Sequence, residues 1–249
     1  MKALDRKHHG VRRLDNAIVL MSGGLDSTTV LSYALKHNYS VTGLSFDYGQ
    51  RHRRELEASR KIAEFYNIQR IVFRIDLRQM GGSSLTGDEA VEEGKLERNE
   101  VPNTYVPGRN ILFLSVAGAY SELIGAKTIM MGVNSVDYSG YPDCRPGFIS
   151  SMEQSLQYGL DKKDLKIVAP LQYLDKGEII TMGKKNNAPY ELTYSCYNGR
   201  EKACGKCDSC LLRLRGFMEA GEIDPVPYEA YPEFYSEYLR NKKVWKNNK

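Results

Sequence analysis

The chain has 249 residues, 41% hydrophobic and 27% charged, with a formal net charge of +4. That is enough apolar chain for a real core, which excludes a disordered or collagen-like protein. No apolar run reaches membrane-spanning length, and so mild a charge suits an anionic small molecule without demanding nucleic acid.

Residues 1–15 form a basic extension with no apolar stretch of signal-peptide type after it. Ala17-Ile18-Val19-Leu20-Met21 then reads as a strand, and Thr28 to Lys36 as a helix with Val30, Tyr33 and Ala34 on one face. Between them lies Ser22-Gly23-Gly24-Leu25-Asp26-Ser27. Such a strand-to-helix turn aims unpaired N–H groups and the positive helix end at one point, which favours an anion. The glycines permit close approach, and the hydroxyls of Ser22, Ser27 and Thr28 can donate. Asp26 would repel a bare phosphate, so it either caps the helix or meets the phosphate through a cation such as Mg²⁺. A Gly-Gly turn without any ligand is the competing reading. The stretch lacks the Gly-Lys-Ser/Thr ending of a Walker loop and the glycine spacing of a dinucleotide fingerprint.

Val41–Tyr48 reads as a second strand, Arg51–Tyr66 as a helix and Ile68–Ile75 as a third strand. This order implies a parallel sheet with helices on its faces, and ligands beyond the carboxyl ends of the strands. The Ser22 loop and Asp47-Tyr48-Gly49-Gln50-Arg51-His52 both lie there. Gly81 to Glu100 is rich in Gly, Ser and charge, so a mobile loop or lid is expected. Arg109 and Asn110 open an apolar helix from Ile111 to Ile124. A cation there opposes the helix dipole and is better explained by a bound anion. Lys127–Val133 reads as a strand, followed by a turn-rich stretch with Asp137, Tyr138, Tyr141, Asp143, Cys144 and Arg145. A helix (Phe148–Tyr158), a strand (Ile167–Leu171) and a helix capped by Asp175 follow.

Cys196, Cys204, Cys207 and Cys210 stand as C-x7-C-x2-C-x2-C. Four thiolates fill a closed structural Zn²⁺ site; an iron–sulfur cluster and unbound thiols are the alternatives. Disulfides do not fit cysteines crowded in this way, which points to a reducing cytoplasm. The four histidines form no nucleophile–base constellation, and Cys144 reads as a spectator. The Tyr- and Lys-rich tail from Pro225 onward is expected to pack on the body or on a second subunit rather than on nucleic acid.

Ser-Gly-Gly-x-Asp-Ser resembles the pyrophosphate loop of the ATP pyrophosphatase superfamily, whose members split ATP between its α and β phosphates to adenylate a substrate. Four further blocks and the cysteine cluster widen the likeness: Ser45 to His52, Tyr105 to Asn110, Ser139 to Arg145, and Arg213-Leu214-Arg215-Gly216-Phe217 through Asp224-Pro225. Together they resemble the 7-cyano-7-deazaguanine synthase family. One departure is Pro146-Gly147 after Arg145, where an acid is expected.

The resemblance implies an α/β fold, a parallel twisted sheet with helices on both faces of the adenine nucleotide alpha hydrolase-like kind. Residues 16–190 would bind ATP, and 191–249 would form a small zinc-binding region and tail. It implies a cytoplasmic, homodimeric ligase of queuosine biosynthesis with no membrane or direct nucleic-acid partner. That ligase converts 7-carboxy-7-deazaguanine, ammonia and ATP into the nitrile, using Mg²⁺ with the ATP and one structural Zn²⁺ on the four cysteines. Met21, Ser22, Gly23, Gly24, Leu25, Asp26, Ser27, Thr28, Thr29, Val30 and Leu31 would hold the pyrophosphate. Ser22, Asp26, Ser27, Arg109 and Lys176 would serve the chemistry. Asp47, Tyr48, Gln50, Arg51, Asn110, Asp137, Asp143 and Arg145 would contact substrate. Two other readings stay open: a tRNA-modifying adenylating enzyme, with Cys144 the spare thiol, and a non-catalytic zinc module binding nucleic acid.

Overall fold

Strand β1, Asn16–Leu20, is buried at each of its last four positions. Its pleat sends Ala17 and Val19 into one apolar cluster and Ile18 and Leu20 into another. A strand buried on both faces belongs inside a parallel sheet sandwiched by helices. The computed structural model, which describes residues 15–96, 100–136 and 141–247, has that arrangement. The extension 1–14, residues 97–99 and Asp137 to Gly140 lie outside the described residues.

β2 (Ser40–Asp47), β3 (Gln69–Arg74), β4 (Thr128–Met130) and β5 (Lys166–Val168) complete a five-stranded sheet of order β3-β2-β1-β4-β5. Every pairing is parallel. The chain winds outward from β1 to β3, then returns to the other side of β1 as β4. The carboxyl ends of β1 and β4 therefore flank a switch point, where such sheets leave a crevice for ligands.

Helices α1 (Leu25–Lys36), α2 (Arg54–Phe65) and α5 (Lys176–Lys185) bury one face. Helices α3 (Arg109–Ile124) and α4 (Pro146–Gly159) bury the other. Two further helices complete the chain: α6 (Asp208–Glu219), which carries Cys210 in its first turn, and α7 (Glu233–Asn247). The cluster under α1 also takes in Cys196, Cys207, Phe217 and Tyr235, so the C-terminal segments pack on the same core. The tail packs on the body, as the sequence implied: Tyr235 is fully buried.

Some bounds differ from the sequence reading. α1 begins at Leu25, which puts Asp26 and Ser27 in its first turn. Met21 lies one residue past β1, though its N–H still bonds the Leu44 carbonyl at 2.7 Å. β4 and β5 are shorter than expected; Pro170 has no N–H to extend β5. The start of the stretch expected to be a mobile loop is anchored: Ser83, Ser84, Leu85 and Thr86 are buried, and Ser84 N–H bonds the Asn103 carbonyl at 2.8 Å. Small hydroxyl residues fill this interior because backbone partners satisfy them.

Arg213 on α6 is buried and grips Asp224 with two hydrogen bonds of 2.7 and 2.9 Å. Tyr228 donates to Asp224 at 2.6 Å, and the Asp224 N–H donates to Tyr235 at 2.8 Å. Removing one partner of a buried pair leaves an uncompensated charge. Asp224→Ala is expected to cost about 3–5 kcal/mol, read as a fall in the chemical denaturation midpoint.

Candidate active site and metal centre

At the head of α1, no side chain caps the helix; the N-cap is Gly24. The N–H groups of Gly23 and Gly24 point to the hydroxyls of Ser27 and Ser22, each at 3.2 Å, and Leu25 N–H points to Ser195 Oγ at 3.3 Å. The N–H groups of Asp26 and Ser27 have no acceptor among the described residues. Long, replaceable contacts beside open donors make an anion cradle. Gly23 is required here. Its φ is +89°, and a Cβ would stand 2.3 Å from the Glu55 carbonyl oxygen.

Asp26 does not cap the helix. Both its carboxylate oxygens accept from Lys176 Nζ at 2.9 Å. Lys176 opens α5 just after the Asp175–Glu178 capping box, and its side chain is 5% exposed against 27% for Asp26. The buried ammonium is thus paired with Asp26 in the first turn of α1 by charge-assisted hydrogen bonds. α6 allows this because Gly216 lacks a Cβ, which would lie 2.3 Å from Lys176 Cγ.

A cavity of about 250 Å³ opens from this cradle along the carboxyl ends of β1, β2 and β4. Ser22, Asp26, Ser27, Lys176, Arg109 and Glu55 line its polar part; Leu20, Leu44, Phe46, Phe113, Met131 and Val133 line an apolar part. Arg109 Nη1 donates to Tyr48 Oη at 3.3 Å, and its guanidinium lies 5.7 Å from the ring centroid. Burial pushes the Glu55 carboxyl up to about 7, with Arg109 opposing and Cys196 adding to the shift.

The four cysteine Sγ atoms lie within 4.8 Å of one another and all are buried. Cys204–Cys210 and Cys207–Cys210 are 3.9 and 3.5 Å apart, too long for disulfides. They bracket the ~3.8 Å edge of a sulfur tetrahedron with metal–sulfur bonds of about 2.3 Å. The N–H groups of Lys206 and Cys207 point at Cys204 Sγ at 3.4 Å, and Cys204 N–H at Cys196 Sγ at 3.3 Å. Such donors stabilise thiolates, and packed thiolates need a cation among them. The residues fit a metal.

The chain matches the family described as "Queuosine biosynthesis protein QueC" over residues 16–221. The chain belongs to the QueC family. It is 55% identical to the 7-cyano-7-deazaguanine synthase of Picrophilus torridus over 234 residues, 92% of this chain and 98% of that one. Identity to the synthase of the same name from Thermoplasma acidophilum is 54%, covering 91% of this chain and 98% of that one. For Oceanobacillus iheyensis it is 52%, covering 85% and 97%.

In this QueC-family chain the structure brings Met21, Ser22, Gly24, Leu25, Asp26, Ser27, Tyr48, Gln50, Arg109, Asn110 and Lys176 to one cavity. Thr28, Thr29, Val30 and Leu31 run behind it as buried residues of α1, with Thr29 bonded to Tyr190 at 2.7 Å. Several residues expected to touch substrate sit elsewhere. Asp47 pairs with Arg53 at 3.4 Å, and Arg51 ties down the Ser84–Glu89 loop through carbonyls. Asp143 accepts from the Asn110 N–H at 3.2 Å, so it caps α3 rather than facing the cavity. Arg145 is exposed at the start of α4. Asp137 lies outside the described residues. Gln50 reaches the cavity, but its amide is spent on Tyr48 N–H at 2.8 Å and the Phe46 carbonyl at 3.2 Å, which fixes the loop.

Cys144 lines the cavity, and burial pushes its thiol up to about 12. Sequence reasoning missed Glu55, Ser195, Tyr197 and Arg213 as cavity residues. The signal for Ser195 and Tyr197 was their place on either side of Cys196. Tyr194 N–H bonds the Gly23 carbonyl at 2.9 Å and His52 Nε2 contacts the Cys196 carbonyl at 3.0 Å, so the metal centre and the α1 cradle share one wall.

Proposed function

We propose that this chain is an ATP-dependent ligase that converts 7-carboxy-7-deazaguanine and ammonia into 7-cyano-7-deazaguanine. The observation that carries this is the pair of open N–H groups at the head of α1, facing the same cavity as Lys176 and Arg109. Family membership supplies the substrate class through the synthase relatives.

A carboxylate resists attack by ammonia, so one oxygen must become a leaving group. The substrate oxygen attacks the α-phosphorus of ATP, and pyrophosphate departs towards the α1 cradle. The Asp26 and Ser27 N–H groups, the Ser22 and Ser27 hydroxyls and the Lys176 ammonium stabilise the charge that develops there. Arg109 neutralises phosphate from the α3 side. Ammonia then displaces AMP to give the amide. A second activation in the same cradle makes the amide oxygen leave, and the nitrile forms. No protein nucleophile is needed, and the neutral Cys144 thiol supplies none for a sulfur-transfer alternative.

Mg²⁺ accompanies ATP as phosphate counter-ion, with Asp26 the carboxylate placed to meet it. The four cysteines hold Zn²⁺, a closed site with no open position for substrate. The chain works in the cytoplasm as a homodimer, without nucleic acid. Leu123 on α3 and Tyr158 on α4, 80% and 87% exposed, are apolar surface for such a contact.

Mass spectrometry of the reaction with 7-carboxy-7-deazaguanine, ATP and ammonium tests the assignment by the appearance of the nitrile. Asp26→Ala removes the partner that holds Lys176. The variant is expected to lose at least about 100-fold in turnover. Near-unchanged turnover would reject the role of the cradle.

A further inference from the structure

Two carboxylates line the cavity among the described residues, Asp26 and Glu55. Asp26 is held by Lys176. Glu55 makes no side-chain hydrogen bond or ion pair among the described residues, so both its oxygens are available to a ligand. Its main chain is fixed against the cradle. The Glu55 carbonyl and the Ser59 N–H stand 2.3 and 2.6 Å from where a Cβ on Gly23 would be. Glu55 lines the same cavity as the head of α1, where the Asp26 and Ser27 N–H groups stand open. An acid in the first turn of α2 could serve only the helix dipole, but exposed Glu57 already fills that role in the same turn. The charged and titratable groups acting on Glu55 are Arg109 from α3, Tyr48 after β2 and Cys196 from the metal centre.

We propose that Glu55 is the general base for the nitrogen-handling steps of the reaction, taking the protons that the attacking amine and the activated amide must lose. The inference rests on the function proposed above. In the first step the ammonia lone pair forms the C–N bond. The acyl–oxygen bond breaks with its electron pair going to AMP, and one N–H proton passes to the Glu55 carboxylate. In the second step the amide oxygen has been activated by ATP. Two N–H protons are lost in turn, the C–O bond breaks with its pair on the leaving group, and the nitrogen pairs close the triple bond. Glu55 is partly buried, so it returns each proton to water before taking the next. A carboxyl raised by burial has a proton affinity near neutrality, where a base both exists ionised and accepts readily.

Glu55→Gln separates activation from nitrogen capture. The isosteric amide keeps the wall of the cavity and removes only the base. Substrate-dependent exchange of labelled pyrophosphate into ATP, and trapping of the acyl-adenylate by hydroxylamine, are expected to stay within about threefold of the unaltered chain. Formation of amide plus nitrile from ammonium is expected to fall about 100-fold. Glu55→Asp, which keeps an acid, is expected to recover part of that loss. Undiminished amide and nitrile formation in Glu55→Gln would overturn the base while leaving the ligase intact. Loss of exchange together with product would also overturn it, by showing a role in holding ATP. If the unaltered chain shows no substrate-dependent exchange, adenylation itself is contradicted and the proposal falls with it.

Discussion

Lys176→Met is expected to lower kcat/KM for nitrile formation by about 1,000-fold or more, with the fold retained. Two effects add. The substitution removes the buried cation from the phosphate end of the cavity. It also leaves Asp26, whose oxygens now each accept from Lys176 at 2.9 Å, as an unneutralised negative charge beside an incoming triphosphate. The fold is expected to hold because Asp26 keeps partial access to water and the methionine fills the channel past Gly216. Steady-state kinetics with a parallel thermal melt checks this. A loss under tenfold would mean that Lys176 only braces α5 against α1.

Removing the metal is expected to abolish nucleotide binding as well as stability. A closed four-thiolate site contributes folding free energy outright, here on the order of 5–10 kcal/mol because the surrounding segments also bury apolar side chains. That is comparable with the whole stability of an ordinary domain. The link to nucleotide is specific. Ser195 precedes Cys196 and receives the Leu25 N–H, Tyr194 bonds Gly23, and Arg213 on α6, the helix that carries Cys210, donates to Ser195 at 3.3 Å. Loosening the cysteines therefore loosens the cradle from behind. Cys207→Ser, or chelation verified by metal analysis, is expected to lower the melting midpoint sharply and to eliminate heat of ATP binding in calorimetry. A metal-free chain with unchanged midpoint and nucleotide affinity would contradict the shared wall.

Much of this was legible in the sequence because the signals were local. Ser22 to Ser27 lie within one turn after β1, and three of the four cysteines fall within seven residues of chain. The apolar runs at β1 and β2 announced a sheet buried on both faces. What escaped was long-range. Lys176 meets Asp26 across 150 positions, and Ser195 meets Leu25 across 170; no periodicity encodes such pairs. Helix α6 was hidden because Arg213 and Gly216 interrupt its apolar pattern, yet Arg213 is neutralised by Asp224 and Gly216 makes room for Lys176. Asp143 and Arg51 looked like ligand groups because polar residues at strand ends usually are. Folding spent them on a helix cap and a loop tether instead.

The most direct test of carboxylate activation at the head of α1 is to follow the substrate's own oxygen. With 7-carboxy-7-deazaguanine labelled with heavy oxygen in its carboxylate, the account predicts that AMP isolated after turnover carries the label. Label in inorganic phosphate with none in AMP would place the attack on a different phosphorus and contradict the account.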